Sequence, residues 1–322
     1  MTYMKFLKIL IIIFLLPIIS IEVQGQSKSA KEKIRTAKIK KSYSYKYQYK
    51  SGVIDTISTL VSSKQYDTLG NITEEISYAF ETLDKKTIMV YDKSGKLTEK
   101  DYYNTYKNSP TINLTGKYTY AYNSNDSLNE WDSYSFDGKI INKCISKFDN
   151  KNHKTEETLF STDGKINTKN LFFYDEKGNC IEFKQYPGDG LYASIDEKYD
   201  YTYNPKGKIL TKRCMSTQKN STTNEEFFSI QVYSYKYDFD GNVVEESIYY
   251  DIHPSLKGKG TKLSFKYDYY GNCTEENYVD NIEGTSYKET FKNDTNGNVI
   301  EEVFYNEVNE PEYVIKTTYF SK

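Results

Sequence analysis

Tyr66-Asp67-Thr68-Leu69-Gly70-Asn71-Ile72-Thr73-Glu74-Glu75 is the stretch that decides the fold, because the 322-residue chain repeats it along most of its length. The shared pattern is Tyr-Asp, two variable residues, a glycine, an apolar residue two positions later and a glutamate four positions later. The copies follow one another about every 28 residues, a spacing typical of a unit with two strands and two turns. Further copies begin at Tyr91, Tyr122, Phe148, Tyr174, Tyr203, Tyr237, Tyr267 and Asn293.

The glycine place of each copy is predicted to lie in a turn. An aspartate followed three residues later by glycine is typical of an Asx-type bend, in which glycine takes the left-handed conformation. Two copies carry Asp126 and Asn152 at this place, and both residue types tolerate a positive φ. The predicted turn residues are Gly70, Gly95, Asp126, Asn152, Gly178, Gly207, Gly241, Gly271 and Gly297.

The segments between these turns alternate tyrosine with polar residues, as in the stretch 43–49. A period of two is the mark of a β-strand with two different faces. A second, looser turn closes each unit, for example at Asp137-Gly138, Asp163-Gly164, Gly188-Asp189-Gly190 and Gly258-Lys259-Gly260. Because one hairpin alone is unstable, the units must pair with each other. We therefore expect an all-β fold, an antiparallel meander of about 18–20 strands built from tandem β-hairpin repeats in a curved open or spiralling sheet.

The repeated pattern resembles the YD repeat of the RHS/YD-repeat family over about residues 66–302. The resemblance implies a secreted or surface protein whose β-hairpin strips wind into a spiral shell. Large members of that family enclose a C-terminal toxin, and others are described as carbohydrate-associated or adhesive. This sequence departs from the family in the residue after the glycine, which is Asn or Lys where the family often has Arg.

The N-terminal region predicts export. Two lysines precede an apolar run from Ile9 to Ile19, and small residues follow it, which is typical of a signal peptide over residues 1–25. An uncleaved N-terminal anchor is the alternative. A basic N-terminal leader then covers residues 26–42, and a single β-hairpin repeat domain covers residues 43–322. No second long apolar run follows, so we expect no transmembrane segment in the mature chain and a location in the periplasm, on the cell surface or outside the cell.

Charge and cysteine content narrow the function classes. The formal net charge of −2 at pH 7 argues against a nucleic-acid partner, which requires a basic excess. An oxidising compartment allows disulfides, but four cysteines permit three pairings and the sequence does not choose among them. No Cys-x-x-Cys occurs, so zinc-ribbon and thioredoxin-type chemistry are not expected. The cysteines are Cys144, Cys180, Cys214 and Cys273.

No catalytic, cofactor or metal site is predicted. The two histidines, His153 and His253, lie in turn segments and lack a nearby cysteine or histidine at ligand spacing. The Asp-rich turns do not fit an EF-hand, which requires glycine at position six and glutamate at position twelve. Pairs of adjacent glutamates recur in most units and are expected to be structural, because neighbouring residues on a strand point to opposite faces. These pairs are Glu74/Glu75, Glu156/Glu157, Glu245/Glu246, Glu275/Glu276 and Glu301/Glu302.

The tyrosines supply the one predicted functional surface. Tyrosine is the commonest aromatic residue, with 34 copies against 16 Phe and 1 Trp, and aligned rings can stack on sugars or on protein side chains. We expect a binding or structural module that contacts carbohydrate, an envelope component or a protein. The alternatives are a glycan-active enzyme with carboxylates that converge from different repeats, and an outer-membrane β-barrel with a continuous apolar band. The candidate ligand-surface aromatics are Tyr118, Tyr120, Tyr199, Tyr201, Tyr233 and Tyr235.

Overall fold

A computed structural model describes residues 30–105, 112–188, 190, 193–219, 226–253 and 255–321. The predicted signal peptide, residues 1–25, lies outside the described residues, as does Asp189 of one predicted second turn. The elements are one short helix, α1 (Ala30–Thr36), and twenty strands. The strands are β1 (Lys41–Lys50), β2 (Val53–Tyr66), β3 (Ile72–Ala79), β4 (Thr82–Tyr91), β5 (Leu97–Thr105), β6 (Ile112–Tyr122), β7 (Leu128–Tyr134), β8 (Ile140–Phe148), β9 (Lys154–Phe160), β10 (Ile166–Tyr174), β11 (Cys180–Pro187), β12 (Ile195–Tyr203), β13 (Ile209–Lys219), β14 (Glu226–Tyr237), β15 (Val243–Ile252), β16 (Gly260–Tyr267), β17 (Cys273–Asp280), β18 (Thr285–Asn293), β19 (Val299–Tyr305) and β20 (Pro311–Phe320).

The twenty strands form one antiparallel meander that closes into a barrel. Each strand pairs with the next one in sequence, which confirms the predicted meander of hairpins. The last strand, β20, also pairs with β1, for example Ser44 with Thr317. The prediction of a curved open or spiralling sheet is therefore wrong. Twist accumulated over twenty strands brings the two edges together, and their pairing satisfies backbone groups that an open edge would leave exposed.

The predicted turns of the repeat lie at one rim of the barrel, between even-numbered and odd-numbered strands. All nine turn residues have a positive φ, between 66° and 91°. The aspartate of the motif holds each turn: Asp67 accepts hydrogen bonds from the backbone N–H groups of Leu69 and Asn71, at 2.8 and 2.9 Å. The Asn71 side chain donates to the second carboxylate oxygen at 2.7 Å, which explains why asparagine so often follows the glycine place.

In five of the nine copies, the tyrosine of the motif joins its repeat to the one before it. The Tyr91 hydroxyl donates to the carbonyl of Ile72, at 2.9 Å, across β4 and β3. Where Asn293 replaces tyrosine, its amide donates to the carbonyl of Cys273, at 3.1 Å. These bonds make the motif tyrosine a structural residue. The same contact is made by the motif tyrosines Tyr122 to Leu97, Tyr174 to Lys154, Tyr237 to Ile209 and Tyr267 to Val243. Two tyrosines outside the motif position, Tyr201 and Tyr319, donate in the same way to Cys180 and Val299.

The two faces of the sheet differ strongly in burial. Phe172 is 3% exposed, whereas the next residue, Phe173, is 43% exposed. The buried face also carries Cys180, Phe183 and Cys214, which pack with Phe172 in one cluster. A concave surface crowds its side chains together, so the face of Phe172 is the inner wall of the barrel and the face of Phe173 is the outer wall. Because residues paired across neighbouring strands lie on the same face, the inner and outer residues of every other strand follow from this assignment.

The barrel is a single layer around a lumen. Twenty strands spaced about 4.8 Å apart enclose a space at least about 30 Å across, measured between backbones. Within the described residues, hydrogen bonds, ion pairs and ring contacts between strands join neighbours or strands two apart, such as Arg213 and Asp251. Side chains from opposite walls therefore do not meet in a shared core.

Helix α1, which belongs to the predicted basic leader, packs on the rim at the seam where β20 meets β1. Ile34 is buried, and the Lys33 amine donates to the Asn272 side chain, at 3.0 Å, and to the carbonyl of Gly297, at 2.9 Å. On the other side of the seam, the backbone of Lys31 approaches Gly70 so closely that a Cβ there would lie 2.3 Å from its oxygen. The helix thus connects rim turns from both ends of the sequence.

Candidate functional site: an aromatic platform in the lumen

All six tyrosines predicted from sequence lie on the inner wall, but they differ in accessibility. Tyr199 and Tyr233 are each only 8% exposed, so they offer little surface to a ligand. They enclose the Lys212 amine, which lies 4.2 Å from the centre of the Tyr199 ring and 5.1 Å from that of Tyr233. Burial lowers the pKa of Lys212, and it raises the pKa of both tyrosines well above the usual range. These two rings stabilise a buried lysine.

Tyr118 and Tyr120 belong to the largest group of contacting aromatic rings among the described residues. They lie on β6 and stack with ring centres 6.4 Å apart. Tyr102 of β5 meets Tyr118 edge-on at 5.7 Å, and Trp131 of β7 lies 6.0 Å from Tyr118. All four side chains are half-buried and face the lumen. We call Tyr102, Tyr118, Tyr120 and Trp131 the aromatic platform.

Strand pairing explains why this platform is broad. Tyr120 lies directly opposite Trp131, which brings two large rings side by side. Tyr102 lies opposite Gly116, which has no side chain to cover the ring. Burial, together with the neighbouring tyrosines Tyr102 and Tyr118, raises the pKa of Tyr120 to about 12, so its hydroxyl stays protonated and can donate hydrogen bonds. Flat apolar faces edged by hydroxyl groups suit the faces and hydroxyls of a sugar.

A second feature of the inner wall is a group of four carboxylates that we call the acidic sector: Glu246, Glu276, Glu289 and Glu302, on β15, β17, β18 and β19. Glu276 lies directly opposite Glu289 in the strand pairing, and Glu302 lies opposite Phe291, two residues from Glu289 on the same wall. Burial raises the pKa of all four, and for Glu289, which also faces the charges of Glu302 and Glu276, it reaches about 7.

On the outer wall, neighbouring lysines lower the pKa of glutamates instead of burial raising it. Glu275, next to Glu276 in sequence, contacts Lys266 at 2.7 Å and Lys288 at 3.5 Å, and hydrogen bonds led by the one from Lys266 lower its pKa to about 2. Glu245 is held by Lys236 and Lys262 in the same arrangement, and Glu156 by Lys147 and Lys169. In each of the pairs predicted to be structural, one glutamate therefore lies on each wall.

The positions of the carboxylates, histidines and cysteines can be compared with those that the alternative of a glycan-active enzyme requires. Carboxylates from different repeats do converge in the acidic sector, although one of them, Glu289, is outside the repeated pairs. Among the residues that the structure describes, no three His, Cys, Asp or Glu side chains are grouped to hold a metal ion. His153 contacts Asp149 at 3.1 Å and stacks on Tyr174, which fits a role in its turn. All four cysteines are free thiols.

The apolar band expected of an outer-membrane barrel is absent from the described outer wall of several strands. On β12 the outward residues are Asp196, Lys198, Asp200 and Thr202, and on β18 they are Ser286, Lys288, Thr290 and Lys292. Lysine facing lipid at the middle of a bilayer costs about 2–4 kcal/mol. Strand β1 is exceptional because its tyrosines face outward, a departure from the inward tyrosines of other repeats; they are Tyr43, Tyr45, Tyr47 and Tyr49.

No helix in the described part of the chain has the length and apolar character needed to cross a membrane. No protein-family model and no curated protein matches the sequence. The resemblance to the RHS/YD-repeat family therefore stays a prediction.

Several solved structures share a general likeness with this chain. A porin-like protein from Bacteroides uniformis is 10% identical, with a TM-score of 0.39 over 88% of this chain and 98% of that one. A porin-like protein from Bacteroides vulgatus is 10% identical, with a TM-score of 0.23 over 86% and 97%. A protein of unknown function from Bacteroides fragilis is 16% identical, with a TM-score of 0.21 over 45% and 88%. All three scores lie below 0.5, so the functional account rests on the residues of this chain.

Sequence reasoning missed half of the platform. Tyr102 lies in a strand without a regular tyrosine alternation, and Trp131 stands outside the tyrosine pattern altogether. The one signal that could have found them is the alternation of residues between the two faces of a strand. Counting residues from the turn at Asp126 places Trp131 on the same face as Tyr120 and Tyr118, because the intervening bulge fixes the register.

Proposed function

We propose that this chain is an exported β-barrel of the cell envelope that binds carbohydrate on the aromatic platform of its lumen. The observation that carries the proposal is the platform itself: four large rings, on three consecutive strands, that are half-exposed to an enclosed space. The platform is the largest group of rings in mutual contact among the described residues, four side chains against three around His253. The signal-peptide pattern of residues 1–25 supports export.

The single tryptophan makes the proposal directly testable. Trp131 lies in the platform and is the only Trp of the chain, so its fluorescence reports on that site alone. The mature protein is titrated with neutral and acidic oligosaccharides while tryptophan emission is recorded. We expect a saturable change with at least one glycan class. No change with any of them would contradict the proposal.

Two adjacent tyrosines provide a matched pair of variants. Tyr102 faces the lumen and Tyr103 faces outward, since their partners across β4, Thr87 and Lys86, are consecutive residues on opposite walls. Tyr102→Ser removes one ring of the platform and is expected to weaken glycan binding about tenfold, the effect of losing one stacking contact. Tyr103→Ser leaves the platform intact and should bind as the parent does. Equal losses in the two variants would show that the effect is a general loss of structure.

An outer-membrane β-barrel is the second candidate function, and closure of the twenty-strand sheet favours it, since a closed barrel leaves no unpaired edge in lipid. The ion pairs of the outer wall favour the first candidate. Fractionation separates the two: the proposed binding barrel is released from membranes by carbonate or urea washing and stays soluble without detergent. Retention in the washed outer membrane would favour the second candidate.

A further inference from the structure

Unpaired lysines lie beside the aromatic platform. Lys100 is on the inner wall of β5, opposite Met89 and Tyr118, and its amine lies 5.0 Å from the centre of the Tyr102 ring. Lys85 is on the inner wall of β4, opposite Asn104. The two lysines thus stand on either side of Tyr102 along the strands. In the part of the chain that the structure describes, neither amine forms an ion pair.

Most lysines of the other described strands are paired with carboxylates, but the inward Lys46 and Lys212 lie over tyrosine rings instead. On the outer wall, the neighbouring residue Lys86 contacts Glu74 at 2.5 Å, and Lys117 contacts Glu99 at 2.6 Å. The inner Lys64 contacts Glu75 at 3.1 Å. An amine left without a carboxylate beside an open aromatic surface is available to an anionic group of a ligand.

The charges of the lumen are also separated into two regions. The inner wall of β1 to β5 carries five lysines and two acidic residues: Lys46, Lys50, Lys64, Lys85, Lys100, Asp55 and Glu75. The acidic sector occupies the inner wall of β15 to β19, where the described inward residues include no lysine. A negatively charged ligand in the lumen is attracted to the platform side, whereas the described inner wall of the acidic sector offers it no lysine.

We infer that the glycan bound by the aromatic platform is anionic, a saccharide with carboxylate or sulfate groups, and that Lys100 and Lys85 bind those groups while the rings stack on the sugar. This inference rests on the proposed function and names its ligand class. Lysine contributes a point charge with three donors, which tolerates either kind of anionic group.

The experiment compares acidic and neutral probes by Trp131 fluorescence. The acidic probes are oligogalacturonate and heparin oligosaccharides, and the neutral ones are methyl-esterified oligogalacturonate, cello-oligosaccharides and chito-oligosaccharides. We expect at least tenfold tighter binding of an acidic probe and a clear loss of affinity as salt is raised. Binding of neutral probes alone would overturn the inference and leave the proposed function standing. Binding of no probe would overturn both.

Variants then test whether Lys100 and Lys85 are the residues that bind the anionic groups of the probe. Lys100→Gln and Lys85→Gln should each weaken the acidic probe about fivefold or more and reduce its salt dependence, without a matching effect on a neutral probe that binds. Lys100→Arg should retain most of the affinity, because it keeps the charge. Lys86→Gln, on the outer wall beside Lys85, is the control and should change nothing. Unchanged binding in Lys100→Gln and Lys85→Gln would contradict the inference.

Discussion

The inner and outer walls of the barrel are built from adjacent residues of the same strands, yet they follow different physical rules. On the outer wall, lysines and glutamates from three neighbouring strands form ladders such as Lys266–Glu275–Lys288, with contacts of 2.7 and 3.5 Å. On the inner wall, Glu276 contacts the Tyr287 hydroxyl at 3.2 Å and lies opposite another glutamate. Glutamates on the outer wall stay charged because solvent and lysines surround them. Glutamates on the crowded inner wall are shifted towards the neutral form because burial penalises the charge.

This difference locates function on the inner wall. Many charged groups of the outer wall are joined in ion pairs, although burial raises the pKa of the outward Asp101, and one of its carboxylate oxygens has no partner among the described residues. The inner wall holds open rings at the platform, unpaired amines beside it and carboxylates with raised pKa values across the lumen. Groups that lack a partner within the protein are the ones available to a ligand.

The largest expected difference between the walls is in packing. Phe172→Ala removes a ring that is 3% exposed and packed against Phe183, and should lower the free energy of unfolding by about 3–5 kcal/mol. Phe173→Ala removes a ring that is 43% exposed on the outer wall and should cost about 1 kcal/mol or less. Urea denaturation of the two variants measures both values. Similar losses would mean that the two faces do not differ in burial.

A second comparison uses pH. The raised pKa of Glu289, about 7 against an ordinary 4.5, means that the folded state favours its neutral form. Its contribution to stability is present below pH 4.5 and is lost as pH rises through about 7. Glu289→Gln should therefore match the parent near pH 4.5 and be more stable by about 1–2 kcal/mol at pH 8, after allowance for solvent screening. Thermal melting as a function of pH measures the difference.

The outer neighbour should respond with the opposite sign. Glu275 has a pKa lowered to about 2, so its contribution to stability is present above its ordinary value of 4.5 and is lost as pH falls towards 2. Glu275→Gln should be less stable than the parent at neutral pH, by about 0.5 kcal/mol, and should equal it in strong acid. If both glutamine variants shifted stability in the same direction at pH 8, the assignment of one glutamate to each wall would be contradicted.

Small effects are also expected at the hydrogen bonds between repeats. Tyr237→Phe removes the inner hydroxyl that donates to Ile209 at 2.8 Å and should cost about 1 kcal/mol. Phe148→Tyr restores the motif tyrosine where the sequence lacks it and should add up to about 1 kcal/mol, because the new hydroxyl can donate to the carbonyl of Leu128. Tyr249→Phe, on the exposed outer wall, is the control. A destabilised Phe148→Tyr would show that the repeats are joined differently at that place.

Much of the fold follows from local chemistry that the sequence displays. The aspartate and glycine of the motif predict the turns, and the alternation of tyrosine predicts the strands, since both are short-range effects. Closure was not predictable, because pairing of Ser44 with Thr317 depends on twist summed over the whole sheet. The outward direction of Tyr45 and the inward direction of Tyr120 look the same in sequence. Only the strand register distinguishes them.

The candidate site was predictable in part for the same reason. Tyr118 and Tyr120 stood out because they belong to the tyrosine alternation, and the structure places them in the platform. Tyr199 and Tyr233 stood out equally, but their neighbours bury them around Lys212, which the sequence does not indicate. Lys100 looked like any other charged residue until strand pairing placed it beside Tyr102.

Closure of the barrel is the central claim, since without it there is no lumen. Ser44 and Thr317 are paired across the seam, with their hydroxyl oxygens 2.8 Å apart, although 273 positions separate them in sequence. Ser44→Cys with Thr317→Cys should form a disulfide in dilute, monomeric protein under mild oxidation, detected by mass spectrometry of the joined peptides. Ser44→Cys with Thr168→Cys, on a distant strand, should form none. Absence of the 44–317 link in folded protein would contradict the closed barrel.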